Sequence, residues 1–266
     1  MEVIHLTPQG LAMAAVLVVL LALLSLRLRL GMAGQLVVAA IRTTIQLLLV
    51  GLVLEAIFSN VHLGWVALIA IIMLLAAGRE VMARQHRRLK GPWGFGVGTL
   101  SMFVSTFAIT LLALTVIIGV DPWYEPQYSI PLLGMMLGNT MNGIALSMDR
   151  LLQGVWQQRA VIEARLMLGQ SGVQALTELR QEAMRTGMIP IINAMAAAGL
   201  VSLPGMMTGQ ILSGTPPMQA VQYQILIMFM ITAGTGFGTL AAVWMTTKRL
   251  LDDRDRLRLE RLYKGR

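Results

Sequence analysis

The chain has 266 residues, of which 56% are hydrophobic and 13% charged, against roughly 25% charged residues in ordinary soluble domains. With a mean hydropathy of +0.70, this composition excludes a soluble globular protein. The formal net charge is +8, and in so apolar a chain that excess orients helices in a membrane rather than binding nucleic acid. Cysteine is absent, which removes disulfides, thiolate metal sites and thiol nucleophiles.

A spanning helix needs about 20 mostly apolar residues. Runs of that kind lie near 6–26, 36–57, 62–78, 96–119, 129–148, 188–210 and 221–247, so the expected fold class is all-α, a polytopic membrane protein with about seven transmembrane helices. The first run has no basic residue before it and Arg27 and Arg29 after it. These flanks are the reverse of a signal peptide's, so the run is expected to stay as a span. Lys and Arg mark cytoplasmic loops. All but one of the 21 basic residues follow the first, third, fifth or seventh run, which predicts an outside N-terminus and a cytoplasmic C-terminus. The exception is Arg42, inside the second run. The fifth run holds Pro131, Gly134, Gly138, Asn139, Asn142 and Gly143, so a broken or re-entrant helix is an alternative there.

The domain organisation expected is one permease domain over 1–266, with a cytoplasmic hairpin at 149–187 and a basic tail at 248–266. In the hairpin Leu151, Leu152, Val155, Trp156, Ile162 and Leu166 keep a helical beat until Gly169-Gln-Ser-Gly172, and Val173, Leu176, Leu179 and Ala183 resume it. The pattern predicts two amphipathic helices joined by a glycine elbow, the first about 20 residues and roughly 30 Å long. Either the pair caps the bundle as a solvated hairpin, or its apolar stripe meets a partner.

Polar residues inside spans usually face the bundle interior or a water-filled path. Arg42 and Gln46 share a helix face, although Arg42 can also snorkel to the headgroups. Gly134 and Gly138 form GxxxG, and Asn139 and Asn142 put two amides on nearly one face, a pattern suited to close packing or to a pathway. Asn193 continues this character. Leu203-Pro-Gly-Met-Met-Thr-Gly-Gln-Ile-Leu212 predicts a broken helix lining a cavity, which adds Met207, Thr208 and Gln210 to the candidate pathway. Gly94-Phe-Gly-Val-Gly98 and Gly234-Thr-Gly-Phe-Gly238 resemble phosphate loops only weakly, and inside spans they predict close helix packing. Thioethers can bind soft metals, but most of the 20 methionines are expected to be packing filler.

The outward side carries Glu2, His5, Glu55, His62, Asp121 and Glu125 with no basic residue among them. Glu55, His62, Asp121 and Glu125 are the candidate metal-facing set. They are read as a vestibule that concentrates cations rather than a coordination site. No GxxxxGK[ST] occurs, so the chain supplies no P-loop motor. A hydrolase reading lacks a His inside any span, and a retinal protein would need a Lys in mid-span where only Lys248, at the end, is present.

Gly138-Asn-Thr-Met-Asn-Gly143 leading to Asp149-Arg-Leu-Leu152, Glu163-Ala-Arg-Leu-Met-Leu-Gly169, Pro204-Gly-Met-Met-Thr-Gly-Gln-Ile-Leu212 and Arg42-Thr-Thr-Ile-Gln46 resemble the FetB-type permeases, membrane subunits of iron-exporting ABC transporters. The resemblance covers essentially the whole chain. It implies a non-catalytic permease in a bacterial inner membrane, acting in metal homeostasis. A separate cytosolic FetA-like ATPase would bind ATP and Mg, so this chain itself would hold no cofactor. Two permease copies, membrane lipid and a metal-ion substrate complete the implied partners. Glu163, Ala164 and Gly169 also fall in register with the EAAxxxG coupling signature of ABC importers, while Arg165 departs from its second Ala. The alternatives are an importer component of the energy-coupling-factor type and a non-transporting scaffold.

Overall fold

A computed structural model of the chain describes residues 7–58 and 61–263. Glu2 and His5 lie outside the described residues, as do Ser59, Asn60 and the last three positions. The described residues are all-helical apart from isolated bridges and turns. They divide into two units, one comprising residues 1–61 and 212–215 and the other 62–211 and 216–266.

In the first unit α1 (Pro8–Arg27) and α2 (Ala33–Phe58) pack as a helical pair. Thr7 caps α1 by accepting from the Gly10 N–H at 3.3 Å, as N-cap threonines do. Almost every apolar side chain on both helices is exposed, with Ala22, Ala33 and Ile57 among the few buried ones. A helix that is apolar all round and uncovered suits hydrocarbon rather than water.

The second unit begins with α3 (Leu63–Ala83), capped by the His62 Nδ1, which accepts from the Gly64 N–H at 3.0 Å. A continuous helical run over Trp93–Ile117 follows: α4 (Trp93–Met102), a π-helical turn (Phe103–Phe107), α5 (Ala108–Leu112) and a second π turn (Ala113–Ile117). Beyond it come α6 (Pro126–Gln157), α7 (Arg159–Met167), α8 (Gly172–Ala175), α9 (Thr177–Ala197), α10 (Gly205–Leu212) and α11 (Pro217–Leu250). α6 and α11 form the axis, and α3, α4 and α9 pack around them. The core follows α6 from Leu133 through Ile144 to Val155.

Among the described residues five helices are long and apolar enough to cross a membrane: residues 9–27, 33–58, 63–83, 93–117 and 217–250. The fifth and sixth expected runs behave differently. α6 is an unbroken helix of 32 residues, about 48 Å long at 1.5 Å per residue, and it carries the fifth run straight into the expected hairpin. Its Pro131 lies in the second turn and leaves the Gln127 carbonyl without the usual N–H donor, yet the helix continues past it. The sixth run is not one span. α9 starts far upstream at Thr177, ends at Ala197, and gives way to an irregular stretch before α10.

The glycine runs are packing surfaces. A Cβ on Gly234 would lie 2.6 Å from the Met136 methyl, and one on Gly238 would lie 2.8 Å from Thr140 Cγ2. Gly98 meets Val81 at 2.9 Å in the same sense. The GxxxG pair is less engaged, since nothing lies within 4 Å of a Cβ on Gly138. The tightest approach in α6 falls instead at Gly143, which meets Gly187 of α9 and Thr235 of α11.

Candidate coupling end and intramembrane polar residues

At the Arg-rich end of the second unit, α7 closes in a Schellman motif. The Gln170 N–H donates to the Arg165 carbonyl at 3.2 Å and the Gly169 N–H to Leu166 at 3.0 Å. Gly169 adopts φ +87°, the left-handed conformation this motif requires and glycine adopts without strain. Ser171 and Gln174 then form a capping box at the start of α8. Arg165 holds the two arms together, donating to Glu178 Oε2 at 3.0 Å and to the Ala175 carbonyl at 3.5 Å. Its departure from the alanine of the EAA-like signature therefore has a structural reason. Glu163 and Ala164 are exposed on the opposite face.

The expected apolar stripe points inward. Leu151, Leu152, Val155 and Leu176 are completely buried, and Ile162 and Leu179 nearly so. The arms are extensions of α6 and α9, so their apolar faces join the core those helices already share. Val161 and Val173 remain half exposed, and the most exposed apolar side chains are in the turn itself, where Met167 and Leu168 are each 83% accessible. Glu163, Leu166, Met167 and Gln170 line one wall of a groove whose other wall is Arg254, Asp255, Arg256 and Leu257.

The α3–α4 loop is tied to α6 through Asp149. One carboxylate oxygen accepts the His86 backbone N–H at 2.8 Å; the other contacts His86 Nδ1 at 3.0 Å and Gln153 Nε2 at 2.7 Å. Arg84 donates to the Asn142 carboxamide oxygen, and the Arg87 guanidinium lies 4.0 Å over the Trp156 ring, a cation–π contact. Arg150 Nε donates to Glu182 Oε1 at 3.1 Å, joining α6 to α9.

The basic tail folds back onto this end. The Lys90 N–H donates to the Arg261 carbonyl at 2.7 Å and the Tyr263 N–H to Arg88 at 2.9 Å, and Arg261 Nη1 reaches the Arg249 carbonyl at 2.7 Å near the end of α11. Asp252 organises the turn. The Arg256 backbone N–H is the chief cause that holds its carboxyl down at about 2; the Arg254 N–H and the Arg256 side chain act the same way, against an opposing effect of burial. A depressed folded-state pKa stabilises above the ordinary value of 3.8 and is lost as pH falls through about 2. The tail should thus stay pinned at pH 3, where carboxylates of ordinary pKa are already mostly protonated. Asp252→Asn should release it, seen as faster trypsin cleavage at Arg254 and Arg256 with the helical core intact.

The candidate pathway residues are not gathered at one point within the second unit. Asn142 is engaged by Arg84, Asn139 donates back to the Met135 carbonyl at 2.8 Å, and Asn193 is exposed. Arg42 and Gln46 are exposed on α2 of the first unit. Met207, Thr208 and Gln210 lie on α10, where Thr208 Oγ1 donates to the Pro204 carbonyl at 3.3 Å and supports the helix start. Of the candidate metal-facing set, Glu55 lies in the last turn of α2, His62 serves as the α3 cap, and Asp121 and Glu125 lie in the loop before α6. Among the described residues no three His, Asp or Glu side chains gather in a metal-binding group.

Two features had little signal in the sequence. The π turns have no diagnostic residue, although such turns recur at functional sites. The buried hydroxyls of Ser101, Thr106, Thr140, Thr235 and Thr239 lack hydrogen-bond partners, and of these just Thr235 and Thr239 sit four apart on one helix.

These features define a multi-pass helical membrane protein with an ordered, basic end. The chain belongs to the family described as Uncharacterised protein family (UPF0014), which it matches over residues 8–251. It is 43% identical to UPF0014 membrane protein slr1647 of Synechocystis, over 80% of this chain and 81% of that one. It is 32% identical to Protein ALUMINUM SENSITIVE 3 of Arabidopsis thaliana, over 87% and 83%. It is also 31% identical to the Probable iron export permease protein FetB of Escherichia coli, over 98% of both chains. No solved structure matches it.

Proposed function

We propose that the chain is the membrane subunit of an ABC transporter that exports a metal cation across the bacterial inner membrane, with hydrolysis performed by a separate cytosolic ATPase that binds ATP and Mg. The observation that carries this reading is the hairpin turn. Met167 and Leu168 are exposed at the tip of two arms whose own apolar faces are mostly buried, a rigid apolar point with nothing among the described residues to cover it. A motor subunit would engage it. The likeness to FetB over nearly the whole chain favours export and makes iron the first cargo to test. The basic loops set the Arg-rich end in the cytoplasm and the N-terminus outside. Seven crossings follow if α6 and α9 also traverse the bilayer, with their polar faces turned toward a second copy. Asn139 and Asn193 are exposed in a single chain; if their helices cross the bilayer, this suits a permease dimer, since uncovered amides are costly in lipid.

Co-reconstitution with its ATPase tests the reading. In vesicles with the ATPase side outward, ATP should drive Fe(II) inward and Fe(II) should stimulate hydrolysis. Absence of both with an intact complex would make the chain a scaffold. Movement in the opposite sense would make it an importer.

A further inference from the structure

We propose a binding site for a soft monovalent metal ion, of the Cu(I) or Ag(I) class, in the cavity between the end of α9, the irregular stretch 198–204, α10 and α11. The cavity, about 510 Å³, is lined by Met195, Met207 and Met228 together with Gln224, and its remaining walls are apolar residues such as Leu203 and Phe229. The three thioethers come from three different helices. Their convergence is therefore a product of the fold and not of sequence spacing.

Gln224 supplies the second observation. It is only 7% exposed, and its carboxamide oxygen is buried without a hydrogen-bond partner. A buried acceptor left unpaired costs free energy unless a ligand meets it. The apolar neighbours offer it nothing. A cation among the thioethers would give this oxygen a partner.

The donor set decides the metal. No carboxylate or imidazole lines the cavity, so Mg(II), Ca(II) and Mn(II), which want charged oxygen ligands, are disfavoured. Thioethers select soft ions such as Cu(I). Neutral ligands also suit a monovalent charge, because a dication here would be left uncompensated in an apolar setting. One sulfur is already oriented. Thr232 Oγ1 lies 2.7 Å from Met195 Sδ as a donor, with the Met228 carbonyl 2.8 Å away as its alternative acceptor. Thr232 is thus a positioning residue for Met195. Most of the other methionines pack in the core in the ordinary way, as Met136 and Met148 do.

The test needs neither ATP nor a partner, so its failure is distinct from failure of the transport reading. The full-length chain, labelled at its methionine methyls and held in detergent in halide-free and thiol-free buffer, is titrated with silver nitrate. The methyls of Met195, Met207 and Met228 should shift together and saturate at a single equivalent. Mn(II) should leave them unbleached. The Met195→Leu, Met207→Leu and Met228→Leu triple variant conserves volume and should abolish the saturable uptake without lowering the unfolding midpoint. Thr232→Val should weaken uptake about tenfold, as loss of an orienting partner does. Shifts confined to other methionines, full uptake by the folded triple variant, or Mn(II) bleaching of these methyls would each overturn the site. Unchanged affinity in Thr232→Val would overturn the positioning role.

Discussion

Gly187→Ala should be among the most destabilising single-methyl additions in the protein, and Gly138→Ala on the neighbouring helix should be neutral or stabilising. A Cβ on Gly187 would stand 2.6 Å from the Gly143 carbonyl oxygen, 3.0 Å from the Ser147 Cβ and 3.1 Å from Thr239 Cγ2. The first of these is backbone within α6, and it cannot swing aside as a side chain can. Relief requires α9 to move away from α6, opening the core around Ala183 and Met148. Overpacking of this kind costs about 1–3 kcal/mol, which for a chain of this size lowers the unfolding midpoint by roughly 2–4 °C per kcal/mol. A Cβ on Gly138 meets nothing within 4 Å, so there the better helix propensity of alanine, about 0.5–1 kcal/mol, acts alone. Thermal unfolding of both variants in one detergent measures the difference. Equal midpoints would mean that α6 and α9 separate more readily than their contact implies. Because Gly143 and Gly187 share that contact, the doubly substituted protein should lose less than the sum of the single losses.

The sequence makes some of this legible and hides the rest for identifiable reasons. The runs in α1, α2, α3, the 93–117 helix and α11 are read directly from hydropathy, because length and apolarity are local properties. The break between α9 and α10 is signalled by Gly199 and Pro204. The continuity of α6 is not, since Pro131, Gly134, Gly138 and Gly143 each argue against a helix in isolation; tertiary packing overrides propensity when a small residue is what lets a neighbouring helix approach.

The hairpin shows a different limit. Its helical beat is correctly legible, yet the destination of the stripe is not, because periodicity reports which residues share a face and not what that face meets. Leu151, Leu152 and Leu176 are spent in the core while Val173 of the same pattern stays half exposed, and the most exposed apolar surface is the short Met167-Leu168 pair that no periodic pattern marks. Asp149 appears in the sequence only as part of a family-like motif. Its role becomes visible when His86, 63 residues away in the chain, closes on it. The gathering of Met195, Met207 and Met228 likewise depends on the irregular turn at 198–204, so composition alone shows an excess of methionine without a place for it.

On the proposed transporter reading, the expected result at the hairpin tip is that Gly169→Val uncouples ATP hydrolysis from transport while Gly169→Asn preserves most of the coupling. Steric bulk is not the cause, because a Cβ on Gly169 meets nothing within 4 Å. The cause is φ +87°. An ordinary L-residue held in the left-handed region costs about 1–2 kcal/mol, and a β-branched one is disfavoured further, whereas asparagine visits it readily. Valine would relieve that strain by abandoning the Schellman hydrogen bonds of Gly169 and Gln170, and the turn that presents Met167 and Leu168 would lose its fixed geometry. The arms would survive, since Ile162 and Leu176 are buried and Arg165 still reaches Glu178. A folded subunit that still recruits the proposed ATPase should therefore let that partner hydrolyse ATP without cargo moving in proportion. The measurement is the ratio of metal transported to ATP hydrolysed in proteoliposomes, with complex integrity checked by co-purification. If Gly169→Val keeps the full ratio in an intact complex, the power stroke enters elsewhere on this end of the protein, and the groove between the hairpin and Arg254–Leu257 becomes the next surface to test.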